Sequence, residues 1–229
     1  MSVKNEADFR PSVFAPDTDL LIRLSMTSPD FKPDGFRVLD SYDELCRNLL
    51  KMERNGHLKF VVLPKTLDEI NYKRIPAERR FIREHCYVYE PASEKRFAVS
   101  VGKLASQLVK KGIMDADFNG KPNADAISIA EAGVAGINFV TCNIKHFIDY
   151  EDERRVVGNE RKRDIQEHNR KMGHVVNGAG GIENVPTAYT ALDFFRSYRS
   201  GLFVVSEEIY EAIAQADEMG MGQQKTITI

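Results

Sequence analysis

Residues 123–147 read NADAISIAEAGVAGINFVTCNIKHF. Asn123 is a good helix N-cap, because its short side chain can accept a hydrogen bond from the free amides of a first turn. The spacing predicts a helix over Ala124 to Ala135, with Ile127, Ala130 and Val134 on one side. Gly136 ends it, and Ile137 to Thr141 reads as a buried strand.

The same alternation recurs upstream. Val13 to Ala15 forms a short apolar strand closed by Pro16, and Asp17-Thr18-Asp19 leads straight into the helical run Leu20-Leu21-Ile22-Arg23-Leu24. Ser28 to Gly35, with two prolines, is a loop, and Ser41 to Glu53 is helical through Leu45, Leu49 and Met52. Leu58 to Leu63 is a second strand closed by Pro64. Thr66 with Glu69 has capping-box spacing, which places a helix start at Thr66. Cys86 to Tyr89 is a further β-prone piece, and Val99 to Lys111 a helix ending at Gly112. Strand and helix units of this length predict an α/β fold of three layers, α/β/α, around a mostly parallel central sheet. Val13–Ala15, Phe60–Leu63 and Ile137–Thr141 should lie parallel in it.

Beyond Phe147 the character changes. Residues 149–184 are charged and then glycine-rich (Asn177-Gly178-Ala179-Gly180-Gly181), an insertion or arm following a core over residues 1–148. Residues 185–229 form a C-terminal helical segment able to complete that core. Pro186 to Tyr198 has helical periodicity, Leu202 to Val205 reads as a strand, and Ser206 caps a last helix to about Met219.

Composition narrows the function. Thirty-two Lys+Arg against 34 Asp+Glu leave a net charge of −2, which excludes a globally basic nucleic-acid coat but not a local phosphate-binding patch. No apolar run reaches the roughly 20 residues of a membrane helix, and Met1 to Arg10 lacks the apolar core of a secretion signal. Cys46, Cys86 and Cys142 are odd in number and scattered, without disulfide or zinc spacing. A reducing, cytoplasmic compartment is expected.

Asp17, Glu69 and Asp125 share one setting, at strand exits or helix entries. In an open parallel sheet such residues converge on one crevice. Clustered carboxylates raise one another's pKa unless a cation neutralises them, and Mg²⁺ or Mn²⁺ is the natural occupant of an all-oxygen site. The chemistry this favours is attack of an activated water on a phosphodiester. Any one of these acids is also explained by the favourable position of a carboxylate in a first helical turn.

At this point the sequence resembles the PIN-domain ribonucleases. Asp17-Thr18-Asp19-Leu20-Leu21-Ile22-Arg23-Leu24 is similar to that family's opening signature, Leu58 to Ile70 to its second strand and following helix with a glutamate at Glu69. Asn123 to Phe147 resembles its "DA, helix, Gly, apolar strand, Thr, acidic or Asn, Phe" pattern. The resemblance runs from Val13 to about Phe147. It implies a parallel sheet flanked by helices and divalent-metal-dependent endonucleolytic cleavage of RNA, leaving a 3′-hydroxyl and a 5′-phosphate. It assigns Asp17, Glu69 and Asp125 as metal ligands, with Asp19 as a further one, and puts Asn143 where the family most often has Asp. Many small members are toxins held by an antitoxin, and this chain is larger than they are. The implied partners are single-stranded RNA or structured RNA loops, an antitoxin-like protein and a second copy of the chain in a homodimer.

Lys73, Arg74, Arg79, Arg80 and Arg83 are candidate RNA-backbone contacts, since Arg79 and Arg83 would lie one helical turn apart; a solvated helix face is the alternative. Thr141 can support the site by hydrogen bonding, and Asp117 is a further ligand candidate. Two rivals stay open: a catalytically weak PIN-like module that binds RNA or protein, and a haloacid-dehalogenase-like phosphatase using Asp17 and Asp19. The second wants Thr or Val where Leu21 stands and a late acid pair where Thr141-Cys142-Asn143 stands.

Overall fold

The computed structural model describes residues 10–28, 41–73, 76–110, 114, 116–141, 188–190, 205–218 and 224–229. In chain order they form β1 (Ser12–Pro16), α1 (Thr18–Thr27), α2 (Ser41–Arg54), β2 (Leu58–Val62), α3 (Pro64–Lys73), α4 (Pro76–His85) and β3 (Cys86–Glu90). There follow α5 (Glu94–Lys110), α6 (Ala124–Ala135), β4 (Asn138–Thr141), β5 (Ala188–Thr190), α7 (Glu207–Glu218) and β6 (Lys225–Thr228). The strands make one sheet in the order β5-β4-β1-β2-β3-β6, and each neighbouring pair is parallel.

Side chains alternate across the pleat and so sort into two cores. Val13, Ala15, Val61, Leu63, Tyr87, Tyr89 and Phe139 pack under α5, α6 and α7. Phe14, Phe60, Val62, Cys86, Val88 and Val140 pack on the other face against α1, α2 and α4, with Ile70 of α3 joining them. The inner strands are covered on both sides, which is why they read as continuous apolar runs. The result is the expected three-layer α/β/α arrangement, with Val13–Ala15, Phe60–Val62 and Asn138–Thr141 parallel in one sheet.

Local signals set α6 as expected. Asn123 Oδ1 accepts from the Ala126 amide at 2.8 Å. Gly136 adopts φ 70°, ψ 27°, and the Ile137 amide closes back on the Ala132 carbonyl at 3.0 Å, so the chain reverses into β4 within two residues. The buried surface of α6 differs from the expected Ile127–Ala130–Val134 stripe: Ala130 is buried with Ala126, Ser128, Ile129, Glu131, Ala132 and Ala135, while Ile127 and Val134 are only partly buried.

Several boundaries differ from expectation. Helix α3 starts at Pro64, whose missing amide costs nothing at a first helical position. Thr66 lies inside the helix and 1% exposed, so it is no cap. Helix α5 begins at Glu94 rather than Val99, because its first turn (Glu94, Lys95, Arg96) is charged and hides the start of the apolar rhythm. Ala188–Thr190, expected as helix, pairs with Phe139–Thr141 as a strand, so hydrogen bonding to the sheet overrides the local periodicity. The remainder of that stretch, 186–187 and 191–198, the Leu202–Val204 part of the expected strand, and residues 29–35 of the expected loop lie outside the described residues. Strand β6, which the sequence reading did not anticipate, pairs with β3 from Lys225 to Thr228.

At the amino edge a polar network ties α7 and β6 to the inner strands. The Tyr87 hydroxyl donates to Asp217 Oδ1 at 2.7 Å, and Lys59 Nζ donates to the Tyr87 oxygen at 2.9 Å. Lys225 Nζ donates to Asp217 Oδ1 at 2.6 Å. Both ammonium groups also lie over the Tyr87 ring, 5.4 and 5.2 Å from its centroid. Burial pushes the Tyr87 phenol well up, and the Asp217 carboxylate beside it adds to the push, so it remains a donor across the working pH range. Against the upward effect of burial, hydrogen bonds from Lys225 and Tyr87 and the Lys59 charge hold the Asp217 carboxyl below its usual range.

The Gly136 turn gives a clean stability test. A Cβ there meets nothing within 4 Å, so replacement is penalised by the left-handed backbone alone. Gly136→Ala should lower unfolding free energy by about 1 kcal/mol and Gly136→Asn by less, read from urea midpoints at constant slope. An unchanged midpoint for the alanine variant would show that the turn relaxes out of the left-handed region.

Candidate functional site

Strand β1 has β2 on one side and β4 on the other, so the chain builds outward from β1 in one direction and then returns to build in the opposite one. At the carboxyl ends of β1 and β4 the connections diverge, the place where open α/β sheets form their ligand crevice. Asp17 follows β1 and Thr141 ends β4. Both stand at that point.

Asp17 is held from three directions. Its amide donates to the Val140 carbonyl at 2.9 Å, which continues the β1–β4 ladder one residue past the strand. Its Oδ1 accepts from the Leu20 amide at 2.6 Å, making it the N-cap of α1. Its Oδ2 accepts from the Thr141 hydroxyl. The support expected of Thr141 is therefore a direct bond to Asp17.

Glu69 lies five residues into α3, roughly 7.5 Å along the helix from the carboxyl edge at 1.5 Å per residue. Its Oε2 accepts from the Thr18 hydroxyl at 2.5 Å, and its Oε1 lies 3.5 Å from Lys65 Nζ. Thr18 is the next residue after Asp17, so the two acids are joined through adjacent positions of one chain segment. Asp125 occupies the first turn of α6. This helix runs antiparallel to β4 and joins it through Gly136–Ile137, so its amino end lies at the carboxyl edge of the sheet. Asp19 is exposed in the first turn of α1. Asn143 lies outside the described residues, as do Arg74, Cys142, His146 and the 149–184 arm.

The donor set is hard oxygen, which suits Mg²⁺ or Mn²⁺. Among the described residues, no three or more His, Cys, Asp or Glu side chains converge closely enough to hold a metal by themselves. That is compatible with Mg²⁺ chemistry, since this ion keeps several waters and is usually held by one or two carboxylates together with substrate phosphate. Asp117 is absorbed elsewhere. Its Oδ1 accepts from the amides of Asn119 and Lys121, both at 2.8 Å, and so builds a turn.

Of the basic candidates, Lys73 ends α3, and Arg79, Arg80 and Arg83 are exposed on α4. Arg79 Nη2 donates to the Asn71 carbonyl at 3.1 Å, and Arg80 pairs with Glu84 at 2.8 Å one turn on. Since α4 runs directly into the first residue of β3, Arg83 lies toward the amino edge. That is about one strand length, roughly 16 Å, from the edge carrying Asp17.

One residue of this region escaped the sequence reading. Glu131 of α6 is 7% exposed, and its Oε2 accepts from the Lys65 amide at 2.8 Å. It thereby satisfies a free amide in the first turn of α3, the cap that Thr66 does not provide. A charged residue inside an alanine-rich helix was the available signal. Burial pushes its carboxyl up to about 7. The Lys65 amide and ammonium oppose the rise, and the Asp68 and Glu69 charges add to it.

Because this carboxyl holds its proton more tightly folded than unfolded, its stabilising contribution is complete below about pH 4.5 and is lost as pH rises through about 7. Glu131→Gln removes the titration while keeping an acceptor for the Lys65 amide. The stability difference between parent and variant should therefore shift in favour of the variant from pH 4.5 to 8, by on the order of 1–3 kcal/mol. Urea unfolding across that range with EDTA present reads it. A difference independent of pH would mean that Glu131 is ionised throughout.

The chain matches no protein-family model and no curated protein. Among solved structures, it is similar to that of VapBC2 from Rickettsia felis bound to a DNA fragment from its promoter. The identity is 16%, covering 63% of this chain and 92% of that one, with a TM-score of 0.39. Among the described residues no helix is long and apolar enough to cross a membrane.

Proposed function

We propose that the chain is a PIN-like, divalent-metal-dependent endoribonuclease. The observation that carries the proposal is the pairing of Thr141 with Asp17 and of Thr18 with Glu69. Together they fix two carboxylates from distant parts of the sequence at the switch point of a parallel sheet. The order of the motifs through Asp125 and Thr141 supports the same reading.

Asp17, Glu69 and Asp125 would hold the ion, directly or through its coordinated waters, with Asp19 a further ligand or water contact and Asn143 orienting a water or the substrate. When bound, Mg²⁺ or Mn²⁺ lowers the pKa of a coordinated water and neutralises charge on the phosphate. The chain's own residues do the positioning. Thr141 and the Leu20 amide fix the rotation of the Asp17 carboxylate, and Thr18 fixes that of Glu69. Lys65, beside Glu69, offsets negative charge while substrate is absent. In the reaction the water oxygen forms a bond to phosphorus, the bond to the 3′-oxygen breaks, and that oxygen takes up a proton, leaving a 3′-hydroxyl and a 5′-phosphate.

Unpaired RNA, free or in loops, is the substrate class, since a duplex holds its backbone away from a recessed site. Arg79, Arg80 and Arg83 would contact backbone leading away from the acids along α4, and Lys73 and Arg74 are proposed as further backbone contacts. A homodimer and an antitoxin-like partner belong to the same proposal, and so does a cytoplasmic location.

Purified protein should cut single-stranded RNA in Mg²⁺ or Mn²⁺ and lose that activity in EDTA. Asp17→Asn and Asp125→Asn should each reduce turnover by roughly 10²-fold or more while the fold persists, because Asn still caps α1 but brings no charge to the metal. Asn143→Asp should alter the metal-concentration dependence. A phosphatase would instead hydrolyse p-nitrophenyl phosphate through Asp17, and a binding module would hold RNA and cut nothing. Undiminished RNA cleavage by both Asp→Asn proteins, with contaminating nuclease excluded, would end this mechanism.

A further inference from the structure

Immediately before α6 the chain makes a tight reversal. Ala116 and Pro122 form an isolated antiparallel bridge. Between them the Asp117 amide donates to the Lys121 carbonyl at 2.7 Å and the Gly120 amide to the Asp117 carbonyl at 2.9 Å. Asp117 Oδ1 takes the amides of Asn119 and Lys121, and Gly120 supplies the left-handed residue at φ 73°. Four hydrogen bonds across five residues make a fixed turn, not a loose loop.

At its tip Phe118 is 97% exposed. The residues beside it in the turn, Asn119, Gly120 and Lys121, are exposed too. At 97% exposure the ring gains nothing for the core. Among the described residues of the turn its neighbours are polar and do not make the contiguous apolar surround of a protein-docking patch. A lone ring beside a cation does suit one ligand, an unpaired nucleobase, because stacking needs only a π-face and the ammonium follows the backbone. The position agrees. Pro122 closes the turn, Asn123 caps α6, and Asp125 lies in its first turn, so the turn stands at the carboxyl edge beside the acids.

We infer that Phe118 is a base-stacking residue that seats an unpaired base of single-stranded RNA beside the acidic site, with Lys121 on the adjoining phosphate. This rests on the endoribonuclease reading and adds a substrate contact to it.

The chain has no tryptophan, so Phe118→Trp installs a single fluorescent reporter at a fully exposed position. The variant is mixed in Mg²⁺ with a single-stranded octaribonucleotide and followed by stopped flow before cleavage. A matched oligomer with abasic sugars serves as the control. The expected result is quenching by the base-bearing RNA and none by the abasic one. In parallel, Phe118→Ala should bind the base-bearing RNA about 5- to 100-fold more weakly by anisotropy, with unchanged affinity for the abasic oligomer. RNA that binds or is cut without quenching, and equally well by Phe118→Ala, overturns the stacking role alone and leaves the ring to a protein partner. RNA that binds neither parent nor variant overturns the stacking role and the ribonuclease reading together.

Discussion

A strand paired in parallel on both sides must be reached from the same end every time. For β1, flanked by β2 and β4, this forces each connection to cross a face of the sheet before the next strand begins. The helices cover the two faces, and each helix that directly follows a strand, or directly precedes one, has its polarity set. The amino ends of α1, α3 and α6 therefore gather at the carboxyl edge. The acids of the site are there because the topology brings them there, not because they attract one another.

The same polarity explains how the acids coexist at one edge. Helix amino ends carry unpaired amides and a partial positive charge. Asp17 spends one oxygen on the α1 cap, Glu131 spends one on the first turn of α3, and Asp125 sits in the first turn of α6. Threonine hydroxyls from β4 and α1 take up further capacity on Asp17 and Glu69. Negative charge at this edge is thus met by fixed dipoles. The exception is Glu131, buried and close to Asp68 and Glu69, whose carboxyl rises accordingly.

What the sequence discloses follows from where each signal lives. Helix α6 and the turn into β4 depend on Asn123 and Gly136, residues that act on their own neighbours, and both are legible to the residue. So are the three inner strands, whose burial on both faces leaves unbroken apolar runs. The start of α3 was misread because a capping-box spacing at Thr66 competes with Pro64, and the amide that needed a partner finds it in Glu131, 66 residues away. No local pattern reports that. Strands β5 and β6 escaped for a related reason: three and four residues long, they are defined by the neighbours they pair with rather than by a periodicity of their own. Of the candidate site, Asp17, Glu69 and Asp125 are legible as acids at strand exits and helix entries. The hydroxyls that orient Asp17 and Glu69 become visible only once the segments meet.

The two edges of the sheet divide the work. At the amino edge, Tyr87, Lys59, Asp217 and Lys225 form a network in which the charges pair within the protein. It fastens α7 and β6, the last segments of the chain, to strands laid down much earlier. At the carboxyl edge Asp17 and Glu69 are partly exposed with their carboxylates oriented by threonine hydroxyls, and the turn carrying Phe118 opens onto the same side. Contacts closed within the protein favour stability, while carboxylates oriented at a switch point stand where open α/β sheets take their ligands. The contrast between the two edges is what makes the carboxyl edge the candidate site.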